Sequence, residues 1–191
     1  MIKRPVILGY LWRAPIMVAG QIAAYPLAPV GAYFCDDDGR LPKALRWLET
    51  HDQPGWQGPA SIPAISEIMW LGFPRLALTR WLWRNKAYRL AGALGIKPER
   101  EKVSYINSGG SLVPPKWGPS LWWGVLTYGG RTYWELQPRV SAFGRVAYLR
   151  IGWKIIGYCR AVNEARQWPA PSGQDGMFNA VSPRLKSLSN W

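Results

Sequence analysis

The spacing of apolar and polar positions changes three times along the chain. Between Ala14 and Cys35 no charged residue occurs, and the segment is bounded by Arg13 on one side and Asp36, Asp37 and Asp38 on the other. A helix needs roughly 20 residues to cross a bilayer, so this length permits a span. The content pulls the other way. Gln21, Tyr25, Tyr33, Gly20 and Gly31 dilute its hydrophobicity, and Pro26 and Pro29 each remove a backbone hydrogen bond from any continuous helix. Two readings follow: a buried helix over Met17–Ala24 leading into an extended, proline-containing strap, or a membrane-inserted or interfacial helix. An oligomer interface would cover the same surface. If the segment spans, Lys3, Arg4 and Arg13 place its N-terminus in the cytoplasm, although the basic residues downstream oppose that orientation.

After the Asp36–Gly39 turn, Leu41, Leu45 and Leu48 fall on one face of a short helix that Pro42 is suited to begin. Residues 50–63, with three prolines and two glycines, have loop chemistry. The strongest helical pattern runs from Ala64 to Leu94, with an interruption at Pro74. Its second half places Trp83, Ala87, Leu90, Ala91 and Leu94 on one face and Arg75, Arg80, Arg84, Lys86 and Arg89 toward solvent.

Beyond Glu101 the period shortens. Val103–Asn107, Leu121–Tyr128, Arg131–Leu136 and Arg145–Tyr158 are rich in aromatic and β-branched residues, and Gly129-Gly130 is a two-residue hairpin signal. These strands predict a small antiparallel sheet over residues 103–158, with Trp122, Trp123, Tyr128, Tyr133 and Trp134 clustered near the hairpin. Residues 168–191 lack periodicity and read as an irregular tail. The expected fold is α+β: N-terminal helices, then the sheet, then the tail, in one domain of 191 residues.

Charge sharpens the picture of partners. The formal net charge is +13, and residues 75–100 and 139–191 each carry a net +6. Such blocks attract polyanions of any kind: nucleic acid, an anionic membrane surface or an acidic protein. Thirteen tryptophans add a second demand, because large aromatics at a surface mark contacts with lipid, ligand or another chain. Both features meet at Arg80-Trp81-Leu82-Trp83-Arg84. Arg80, Trp81, Trp83, Arg84, Lys86 and Arg89 are therefore the candidate polyanion or interface contacts, able to touch phosphates and stack on bases or to lie at a membrane interface. The competing reading is an amphipathic helix that buries its indoles and solvates its arginines.

No catalytic constellation emerges. His51 is the single histidine, which excludes a multi-histidine metal site and leaves it reading as a loop residue beside Asp52. The Asp36–Asp38 triplet lacks EF-hand spacing and reads as a solvated turn or helix cap. Ser108-Gly109-Gly110-Ser111 matches neither nucleotide-binding glycine pattern and reads as a loop. Cys35 and Cys159 show no metal or redox spacing, and the N-terminus has no convincing cleavage site, so a reducing compartment is expected. Neither cofactor nor metal is expected.

Ala32–Trp47, with its Asp-Asp-Asp-Gly-Arg-Leu-Pro turn followed by Leu-Arg-Trp-Leu-Glu-Thr, resembles an uncharacterised family of tailed-bacteriophage proteins, a domain of unknown function. Trp83-Arg84-Asn85-Lys86-Ala87-Tyr88 and Leu149-Arg150-Ile151-Gly152-Trp153-Lys154 are similar to two further motifs of that family, so the likeness spans residues 32–154. His51 stands where the family pattern has proline, which argues against a catalytic role for it. The resemblance implies a phage-encoded protein acting in the host bacterial cytoplasm, at its inner membrane or in the virion, and carries no activity or cofactor. The expected function is a non-enzymatic accessory protein that binds a membrane surface or another protein through residues 14–35 and its tryptophan-rich surface. A virion or assembly component, a homo-oligomer, and nucleic-acid binding by the 75–100 helix are the alternatives.

Overall fold

In the computed structural model, which describes residues 7–50, 52–169 and 176–190, the N-terminal apolar segment is one unbroken helix, α1 (Ile7–Tyr33). The extended strap expected after Ala24 does not form. Pro15, Pro26 and Pro29 are all exposed on α1, while Ala24, Ala28 and Ala32 hold another side in the core. A proline frees the carbonyl four residues before it. For Pro29 that is the carbonyl of Tyr25, and the Trp83 indole N–H donates to it at 3.0 Å. A side chain thus repairs the defect that the sequence pattern treats as a helix breaker.

The chain divides into two compact units: Ile16–Ala93, and Met1–Pro15 with Leu94–Trp191. The first is helical. Beyond α1 it holds a 3-10 turn at Lys43–Leu48, then α2 (Gln57–Ala60), α3 (Pro63–Trp70), α4 (Pro74–Arg84) and α5 (Tyr88–Ala93). The interruption expected at Pro74 is present, with Pro74 opening α4. A second break separates α4 from α5, and it divides the expected Trp83–Leu94 stripe. There Asn85 closes α4, donating from both its backbone N and its side-chain amide to the Trp81 carbonyl, and buried Ala87 takes a left-handed conformation at φ 53°.

The helical core gathers small residues of α1 against large ones from the rest of the unit: Ala24, Ala28 and Ala32 with Leu41, Leu48, Ile65, Leu78, Trp81 and Leu82. The acidic triplet is a turn, as expected, in which the Asp36 carboxylate accepts from the backbone N–H groups of Asp38 and Arg40 at 3.1 and 2.7 Å. Packing is tight around Trp81, where a Cβ added at Gly58 would lie 2.3 Å from the indole Nε1. Gly58→Ala is therefore expected to destabilise this unit by about 1–3 kcal/mol through overpacking. Urea titration followed by tryptophan fluorescence measures it, and an unchanged midpoint would mean that Trp81 can move.

The second unit is built on a five-stranded antiparallel meander in the order β1-β2-β3-β4-β5. The strands are β1 (Val103–Gly110), β2 (Gly118–Tyr128), β3 (Arg131–Ala142), β4 (Arg145–Trp153) and β5 (Phe178–Ser187), with α6 (Ile156–Asn163) after β4. The Gly129-Gly130 hairpin forms as expected, both glycines at positive φ, which the turn requires. Ser108–Gly110, read as loop, instead complete β1 against Trp122–Gly124.

Two boundaries differ from expectation. The strand expected over Arg145–Tyr158 ends at Trp153, and Ile156–Tyr158 turn into α6. Part of the tail read as irregular is β5, pairing from Trp153↔Phe178 to Arg145↔Ser187. Pro183 and the scattered serines hide its pattern, yet an edge strand tolerates a proline. Residues 170–175 of that tail lie outside the described residues, as do Lys3, Arg4 and His51. An aromatic cluster anchors the unit: the Trp153 ring meets Tyr133 and Phe178 at 5.2 and 5.1 Å, and Tyr10 of α1 meets Trp134 at 5.0 Å.

Candidate functional site

The six contacts singled out on the sequence do not form one binding face. Trp81 is only 4% exposed and belongs to the helical core, so it offers no ring face for a base or a lipid. Trp83 is half-buried and tied to the Tyr25 carbonyl. Arg89 places Nη2 3.4 Å from the buried carboxylate of Glu49, which also accepts from the Leu41 N–H at 2.6 Å. The cations facing outward are Arg80 and Arg84 on α4, and Lys86, whose ammonium lies 4.9 Å from the centroid of the Tyr25 ring.

A different surface of the helical unit stands out. Val18, Ile22, Tyr25, Val30 and Tyr33 of α1 are between 40% and 65% exposed. A helix at a water-facing surface ordinarily turns a polar side outward, whereas the outward side of α1 within this unit is as uncharged as its buried side. The turn between α3 and α4 continues the theme: Trp70 is 88% exposed, Phe73 60%, and Leu71 and Leu76 are exposed as well. Arg75 links the two, with its guanidinium 5.3 Å from the Tyr33 ring centroid just after the exposed turn. The patch is apolar and aromatic and carries Arg75 and Lys86 among its rings.

The sheet unit holds a second unusual arrangement. Alternate residues of β3, namely Glu135, Gln137, Arg139 and Ser141, are all buried. Glu135 stands 2.8 Å from Arg150 Nε and accepts from the Gln137 amide at 2.6 Å. Its other oxygen accepts the N–H groups of Ile155 and Ile156 at 2.7 and 2.9 Å, fixing the start of α6. Arg139 donates to Gln137 Oε1 and to the carbonyls of Ser111 and Leu112. Burial, then the nearby cations Arg160 and Arg150, bring the Arg139 guanidinium down to about 10, with Glu135 opposing. Beside this row a cavity of about 240 Å³ opens, lined by Gln137, Tyr148, Arg150, Lys154, Arg160 and Lys186 among others.

Comparison with protein families matches residues 1–169 to a family of unknown function, DUF7338. The chain belongs to DUF7338. No curated protein matches it, and no solved structure does. The match takes in the whole helical unit of this DUF7338 member and β1–β4 with α6, whereas β5 lies beyond it.

Sequence reasoning missed both the exposed α3–α4 turn and the cationic cavity in this DUF7338 chain. The turn had a signal, since Trp70-Leu71-Gly72-Phe73 is an apolar run at a helix break, but an apolar run beside a helix is as easily core. The cavity had none, because its lining comes from three strands, α6 and the chain between, across 50 residues of sequence. Among the described residues no group of three or more metal-ligating side chains gathers.

Proposed function

We propose that this protein is a non-enzymatic, monotopic membrane-binding protein that lays the outer side of α1 and the Trp70–Leu76 turn into an anionic lipid interface. The observation that carries the reading is the uncharged, exposed side of α1 in the helical unit. Residues Gly9–Tyr33 are long enough to cross a membrane and have a mean hydropathy of 1.2, with a third of the window buried. Their neighbours favour lying in the interface over spanning it. Lys86 and Arg75 sit on the rings of Tyr25 and Tyr33, and at ~1.5 Å per residue those rings are only about 12 Å apart along the helix. A hydrocarbon core of about 30 Å cannot separate these two cations into opposite headgroup layers. Aromatic rings paired with lysine and arginine are the composition of a headgroup boundary.

The motif likeness to tailed-phage proteins adds where this would happen: at the inner membrane of an infected bacterium, as a phage accessory factor. With Trp81 in the core, the reading of 75–100 as a base-stacking nucleic-acid helix loses its central residue. The test is flotation of the purified chain with vesicles of phosphatidylglycerol and phosphatidylcholine. Retention on the anionic vesicles is expected, and it should fall about tenfold for each apolar side chain removed in Trp70→Ser and Phe73→Ser, both too exposed to matter to the fold. A chain that ignores vesicles and forms a stable oligomer would instead assign the same surface to a second copy.

A further inference from the structure

The geometry points to a phosphoryl-binding pocket in the sheet unit, formed by Arg150, Lys154, Arg160 and Lys186 over the floor made by Gln137 of β3. This site is separate from the membrane-facing surface and does not depend on it. Four cationic side chains, from β4, the chain that follows it, α6 and β5, converge on one cavity of about 240 Å³. Two of the four already lie beside carboxylates, Arg150 by Glu135 and Arg160 by Glu164 at 3.9 Å, and an anion entering the cavity would be attracted by all four. The crowding is visible at Lys186, whose ammonium is pushed down from its ordinary value by burial and then by Arg160 and Arg150.

The floor looks built to hold this arrangement. Glu135 engages Arg150 through Nε, and the guanidinium has further N–H donors on its other edge. The same carboxylate accepts the Ile155 and Ile156 N–H groups, fixing the start of the helix that carries Arg160. A buried polar row on the central strand is an expensive way to stabilise a sheet, since apolar side chains of similar volume would do so at least as well. It is an economical way to aim guanidinium groups, because a preorganised first layer of contacts needs a second layer to hold it.

The chemistry selects the ligand class. Arginine forks match the tetrahedral oxygens of phosphate, and lysines add point charge. The volume suits a terminal phosphate or a diphosphate and is below the range that encloses a drug-sized organic molecule. A phosphate monoester or diphosphate could be presented by a soluble metabolite or by a phosphatidate headgroup.

Calorimetric titration of the full chain with pyrophosphate, at ionic strength held constant with chloride, tests the pocket. Saturable binding is expected, and Arg160→Gln and Lys186→Gln should each weaken it about tenfold. Both side chains are at least partly solvent-exposed, and thermal melts of the variants check the fold. A parallel arm compares retention on vesicles containing phosphatidate with retention on phosphatidylglycerol vesicles. Selective loss of the phosphatidate preference in the variants assigns the phosphoryl group to a lipid, while an effect confined to pyrophosphate assigns it to a soluble compound. If neither probe responds to the two substitutions, the pocket does not bind phosphoryl groups, whatever the chain does at membranes.

Discussion

Glu135→Ala is expected to lower the stability of the sheet unit by about 3–5 kcal/mol, the usual cost of breaking a buried ion pair from one side. The carboxylate touches four partners at once: Arg150, the Gln137 amide, and the N–H groups of Ile155 and Ile156. Alanine would leave a cation at the cavity wall without its carboxylate and two backbone donors at the start of α6 without an acceptor, and a buried donor left unmade costs its full desolvation. Glu135→Gln, which keeps the shape and one acceptor oxygen, should cost less, about 1–3 kcal/mol. Because the chain has two compact units, unfolding is best followed by near-UV circular dichroism, which reports the Trp153 and Tyr133 environment, alongside far-UV helix content. Equal stability of Glu135→Ala and the native chain would show that water replaces the carboxylate and that the row does not organise the cavity.

That row also marks where the sequence stops being readable. Alternation along Tyr133-Trp134-Glu135-Leu136-Gln137-Pro138-Arg139-Val140 invites burial of Leu136 and Val140. The structure does the opposite, exposing Val140 and burying Glu135, Gln137 and Arg139. Period two identifies a strand but does not say which face is covered when a polar network fills the interior. The general outline was legible for stronger reasons. Gly129-Gly130 and the aromatic runs around it determine the hairpin locally, and Pro74 determines the start of α4 locally. Features that depend on distant partners were not legible: α1 continues past Pro29, where Trp83, far along the chain, supplies a donor to the freed carbonyl. Likewise β5 owes its strand to pairing with β4 rather than to its own composition. The candidate site follows the same rule, for Arg80-Trp81-Leu82-Trp83-Arg84 was conspicuous in sequence but spends its indoles on internal work.

Ile22→Asp combined with Val30→Asp is expected to abolish vesicle binding, reducing retention on phosphatidylglycerol by about a hundredfold or more. Both side chains point outward from α1, at 65% and 46% exposure, so neither replacement opens a cavity. Each removes an aliphatic group whose burial in the interface contributes about 1.5–3 kcal/mol, close to tenfold per residue. Each also adds a negative charge that an anionic leaflet repels. The helix itself loses only about 0.1–0.3 kcal/mol per aspartate in propensity, which a thermal melt would register as a small shift. The oligomeric state in the absence of lipid separates the two accounts of this surface. If the uncharged side of α1 is for lipid, the double variant remains folded and becomes more soluble while it leaves the membrane. If it is covered by another copy, the variant changes the oligomeric state in the absence of any lipid, and vesicle retention was never the property at stake.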